Sequence, residues 1–97
     1  MQGLEFGRRM AQVAVRYARG DEKALEEFLN DMALPFRKKD RIYFLGRPGH
    51  PRATVTPGDP ASVYTSLAYV FLGIVWFTST IGLEGLRELL RLTKEGE

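Results

Sequence analysis

Between Leu4 and Arg19 the apolar residues Phe6, Met10, Val13, Ala14 and Tyr17 recur at helical spacing, with the arginines largely on other faces. This predicts an amphipathic helix that stops at Gly20. Asp21 is placed to cap a second helix, and Glu22 follows in its first turn, where the helix dipole favours negative charge. Leu25, Phe28, Leu29 and Met32 form the buried face of that helix, and Pro35 ends any continuation. Residues 4–32 therefore read as a helical hairpin.

The pattern changes from Arg41. Ile42–Leu45 and Ala53–Thr56 are two short β-prone runs, separated by GRPGHPR, whose two prolines and two glycines favour a loop. A β-hairpin within 37–56 is the economical reading. The turn cluster TPGDPAS leads into another helix, with Asp59 or Ser62 as cap and Pro60 in the first turn.

The third feature is a run of 21 uncharged residues, Val63 to Leu83. As a helix rising about 1.5 Å per residue it would span roughly 31 Å, close to a bilayer core of about 30 Å. Tyr69 and Trp76 would lie well inside the hydrocarbon rather than at its interfaces, and five Ser and Thr residues dilute the hydropathy. On a helical wheel Ser66, Tyr69, Gly73, Trp76 and Thr80 share one line, which Glu84, Arg87, Arg91 and Lys94 extend. This predicts a long core helix over 61–94 with a polar stripe, around which 4–56 wraps. Gly82 and Gly85 cost about 1 kcal/mol each in a helix interior relative to Ala, which implies either a close backbone approach or a break there.

The expected fold is thus a single α+β, mainly helical domain over 1–97: an N-terminal helical hairpin, a short β-hairpin and a long C-terminal apolar helix. At 97 residues one core is adequate without staples. The absence of cysteine excludes disulfides, thiol chemistry and Cys-based zinc sites. No signal peptide is visible, so a cytoplasmic location is expected.

Charge adds a function class. The net charge is only +2, but it alternates in blocks: basic over 3–19, acidic over 20–32 and basic over 37–52. In the last block Arg37, Lys38, Lys39, Arg41, Arg47 and Arg52 face only Asp40. A hairpin carrying these six cations can track a phosphate backbone and release its counterions. The six are the candidate polyanion-binding residues, with nucleic acid as the expected partner. Tyr69, Gly73, Trp76 and Thr80 on the stripe are candidate interface residues for self-association, since aromatics on a polar face supply contact area with a polar handle.

No catalytic, phosphate-loop or metal-ligand motif occurs. His50 is the only histidine and sits in the proline-rich loop. The expectation is a non-enzymatic binding or regulatory module without metal or cofactor, acting as a homo-oligomer. The alternative is a single-pass membrane or self-assembling structural component with 63–83 inserted.

Overall fold

The computed structural model describes residues 3–95. Helix α1 (Gly3–Ala18) is the spine, with Met10, Ala11, Val13, Ala14, Val15 and Tyr17 all buried. Such wide burial requires neighbours on several sides, and α2 (Glu22–Asp31), α3 (Pro60–Leu72) and α4 (Thr80–Glu95) supply them. The fold class is α+β, with four helices and one three-stranded antiparallel sheet among the described residues.

The N-terminal hairpin forms as its caps dictate. Gly20 takes a left-handed φ of 104°, and the Asp21 carboxylate accepts a hydrogen bond from the Ala24 amide at 3.1 Å. Helix α2 then returns along α1, placing Phe28 against Phe6 and Asp31 against Arg9.

The sheet has one strand more than the sequence predicts. Strand β1 (Phe36–Lys39) pairs with β2 (Ile42–Arg47), which pairs with β3 (His50–Val55). Asp40 adopts a φ of 57° in the tight turn between β1 and β2, a conformation Asp tolerates better than most residues. Pro51 is accommodated because β3 is an edge strand. The columns Phe36–Leu45–Ala53 and Lys38–Tyr43–Val55 lie on the inner face, which supplies Tyr43, Leu45 and Val55 to the core.

The predicted long helix over 61–94 does not form. Asp59 caps α3 as expected, its carboxylate accepting from the Ser62 amide at 2.8 Å. The helix then ends at Gly73, whose φ of 79° no helix contains. A single 3-10 turn follows (Gly73–Val75), and α4 begins at Thr80 with its first turn capped by Ser79, whose hydroxyl accepts from the Gly82 amide at 2.9 Å. The β-branched and aromatic run Ile74–Phe77 holds helix poorly, and the left-handed glycine before it releases the chain. No helix among the described residues is long and apolar enough to cross a membrane, and 63–83 is divided among α3, the 3-10 turn and the start of α4.

Gly82 and Gly85 mark close approach instead of a break. A Cβ on Gly82 would overlap the Trp76 carbonyl, and one on Gly85 would overlap the Tyr64 ring and hydroxyl. Across the same seam a Cβ on Gly7 would overlap the Ile81 carbonyl. Gly3 faces Ile81, Arg8 pairs with Glu84 at 2.8 Å and Gln12 donates to Glu88 at 3.0 Å, so α1 and α4 run side by side in the same direction. The buried Tyr64 hydroxyl donates to the Gly82 carbonyl at 2.7 Å, and burial pushes its pKa up to about 12. No buried side-chain polar atom among the described residues lacks a hydrogen-bond partner.

Two predictions follow from this seam. Gly7→Ala overpacks the α1–α4 contact at Ile81, Gly85→Ala overpacks the α4 contact with Tyr64 of α3, and each lowers unfolding stability by about 1–3 kcal/mol, read as a lower urea midpoint at an unchanged slope. Glu88, buried beside Arg91 and Gln12, has its pKa held down to about 2 from 4.5 by the hydrogen bonds from those two residues. Its contribution is therefore fully present above pH 4.5 and lost as pH falls toward 2. Glu88→Gln should remove about 1–2 kcal/mol at neutral pH and flatten the stability profile across that window, measured by denaturation at a series of pH values.

Candidate polyanion-binding face

Strand alternation decides where the predicted cations go. Arg37, Phe44 and Thr54 form one outward column of the sheet, and Lys39 with Ile42 forms the next. The Arg37 guanidinium lies over the Phe44 ring, 4.9 Å from its centroid. This places a planar cation on an aromatic ring at the surface, an arrangement favourable by cation–π attraction. Arg41 occupies the β1–β2 turn, where its carbonyl accepts from the Tyr17 hydroxyl at 3.3 Å.

Lys38 belongs elsewhere. Its ammonium is 2.5 Å from Glu22 on α2 and 5.5 Å from the centre of the Tyr43 ring. It closes the edge of the inner face and neutralises a carboxylate, so it is not grouped with Arg37 and Lys39 as the sequence reading has it. Arg52 is displaced too. Pro51 pairs with Gly46 and Ala53 with Leu45, which leaves Arg52 as the extra residue of a β-bulge.

The bulge creates two hollows at the base of the β2–β3 tip. One, of about 290 Å³, is lined by Phe36, Arg37, Phe44, Arg47, Pro48 and Pro51. The other, of about 350 Å³, is lined by Leu34, Pro35, Gly46, Arg47, His50 and Arg52. Arg47 stands between them. Gly46 makes this possible, with a φ of 121° and the Arg52 amide and His50 carbonyl pressed against the side where a Cβ would be.

Four of the five acids over 21–31 are engaged within the molecule. Asp21 pairs with Arg16 at 2.9 Å, Glu22 with Lys38 and Asp31 with Arg9. Glu26 accepts from the Tyr43 hydroxyl, and burial together with that carboxylate raises the Tyr43 pKa far above its usual range. By contrast, Arg37, Lys39, Arg41, Arg47 and Arg52 make no ion pair among the described residues.

The predicted interface group does not assemble. Because the helix ends at Gly73, Tyr69, Gly73, Trp76 and Thr80 do not share a face. Tyr69 is exposed on α3, Gly73 is the cap, and Thr80 opens α4. Trp76 is half-buried, edge-on to Tyr64 and Phe77. The sequence reading also misses Phe44 as a surface aromatic. Its signal is the alternation Tyr43-in, Phe44-out, Leu45-in, visible once Ile42–Leu45 is taken as a half-buried strand instead of an apolar block.

Among the described residues no group of three or more His, Cys, Asp or Glu is arranged to hold a metal ion. Comparison with protein-family models, with curated proteins and with solved structures finds no match.

Proposed function

We propose that the protein is a non-enzymatic binding module that takes single-stranded nucleic acid on the outer face and tip of its sheet. The observation that carries this reading is the set of five cations without carboxylate partners around an outward aromatic ring. Arg37 and Lys39 lie on the face, Arg41 at one end, and Arg47 and Arg52 at the other. Strands of six residues are about 20 Å long, enough for several successive phosphates along one groove.

The chemistry favours a single strand over a duplex. Helical readers of the major groove present cations on a helix, and α2, the helix nearest the sheet's edge cation Lys38, is acidic. A sheet with a surface ring and a stacked guanidinium offers planar surfaces for unpaired bases instead. The hollow beside Phe44 and Arg47 is lined by rings, prolines and two arginines, which suits a base with its phosphate. The reading does not require self-association, and the helix carrying Tyr69 ends at Gly73, before Trp76.

Fluorescence anisotropy with a labelled oligo-uridine tests the proposal. Five phosphate contacts at about −0.7 each give a slope near −3.5 in log K against log salt, a loss of about a hundredfold between 50 and 200 mM. Replacing Arg37 and Lys39 by Ala should shallow that slope by about 1.4, whereas Lys38→Ala should leave it unchanged because its charge is already on Glu22. Undiminished binding after replacing Arg37, Lys38, Lys39 and Arg41 together by Ala would sink the reading.

A further inference from the structure

A second surface, on separate elements, has a different chemistry. The turn between α3 and α4 presents Ile74 at 75% exposure, Val75 and Phe77, the last at 54%. This turn is held firmly. The Ser79 amide donates to the Val75 carbonyl at 3.1 Å, the Ser79 hydroxyl to the Trp76 carbonyl at 3.0 Å, and Gly82 packs directly on that carbonyl. The apolar side chains are thus displayed by a fixed backbone and remain more than half exposed among the described residues.

The outer face of α4 continues the surface. Leu83, Arg87, Leu90 and Lys94 follow at intervals of four, three and four residues, and so lie on one line along the helix. Leu83 and Leu90 are exposed, Leu90 at 68%, although the core needs neither. The helix's Glu84 and Glu88 turn away from this line toward α1, where Arg8 and Gln12 take them. Arg87 lies 4.0 Å from Glu84, a long ion pair, and its side chain is 84% exposed. From Leu83 to Lys94 the line runs about 16 Å and carries apolar and cationic side chains but no carboxylate.

This composition selects among occupants. Phosphate backbones have no use for exposed Ile, Val, Phe and Leu. A second copy docked face to face by two-fold symmetry would gather the Arg87 and Lys94 of both copies into one interface, with no carboxylate on either line to offset them. An anionic bilayer satisfies both halves, taking the apolar side chains into its interface and the cations among its headgroups. We propose that the Ile74–Phe77 turn and the outer face of α4 form a docking surface for anionic lipid membranes. The protein would lie on such a membrane without spanning it. The surface is independent of the sheet cations, so it stands or falls apart from the nucleic-acid reading.

The test uses the whole chain with phosphatidylcholine vesicles, with and without phosphatidylserine. Trp76, the single tryptophan, is a built-in reporter beside the turn. Co-sedimentation should require phosphatidylserine and bring a blue shift of Trp76 emission and quenching by brominated lipid. Ile74→Asp with Phe77→Asp, and separately Arg87→Glu with Lys94→Glu, should each weaken partitioning by about tenfold or more. Because these side chains are exposed, the circular dichroism spectrum and melting temperature should not change. Arg37→Glu with Lys39→Glu should retain the Trp76 response. No partitioning onto phosphatidylserine vesicles overturns the proposal, as does partitioning that both surface variants leave intact. Loss only on changing the sheet cations overturns it too. A dimer in sedimentation velocity that Phe77→Asp dissolves, without vesicle binding, assigns the surface to a second copy.

Discussion

The close approach of α4 to α1 is the constraint on which the rest of the structure depends. Two helices can run side by side at backbone contact only where side chains are absent, and Gly7, which faces the Ile81 carbonyl and the Gly85 amide, provides the absence. The space that Gly85 leaves is filled by the Tyr64 ring, whose hydroxyl is tied to the Gly82 carbonyl. Helix α3 is thereby keyed into the same seam. That geometry requires the chain to reverse between α3 and α4 within a few residues, and the reversal places Ile74, Val75 and Phe77 outside. The exposed apolar turn is thus a consequence of how α4 is seated.

Much of this was legible in the sequence, and what was not has a definite reason. The N-terminal hairpin could be read because each local signal agrees: a helical apolar period, Gly20 as stop and Asp21 as cap. The long helix was misread because a wheel applied to uncharged residues has no means of detecting a break. Ser66, Tyr69, Gly73, Trp76 and Thr80 do fall on one line, but only if Gly73 is helical. The local signals against it were Gly73 before the β-branched pair Ile74–Val75, and Ser79 as an N-cap three residues ahead of Gly82. Gly82 and Gly85 are costly residues in a helix, and only their neighbours, the Trp76 carbonyl and the Tyr64 ring, decide that they serve close packing rather than a break.

Strand β1 was hidden for a related reason. In Phe36–Lys39 a single apolar residue faces the core, so the segment looks like a basic linker until its pairing with β2 is known. Lys38 faces inward by alternation yet remains an edge residue, which lets it reach Glu22 at the price of leaving the cationic group. The candidate site was consequently legible as a composition but not as a geometry. Six cations could be counted, while their division among face, turn, bulge and ion pair depends on register.

A net charge of +2 also conceals how the molecule distributes its carboxylates. Glu84 and Glu88 serve the α1–α4 seam, Asp21, Glu22 and Asp31 bind α2 to its neighbours, and Asp59 caps α3. Each of these six acids is placed where folding fixes it, and most of their partners come from α1. The cations outside these pairs include five on the sheet and its turns, Arg37, Lys39, Arg41, Arg47 and Arg52. Exposed pairs contribute little to stability, so this segregation is not explained by folding energetics. What it changes is the local field, leaving two faces whose cations outnumber their acids on a chain that is nearly neutral overall. The two faces differ in what accompanies the charge: a ring and a stacked guanidinium on the sheet, aliphatic side chains on α4. That difference is the physical basis for assigning them to different partners.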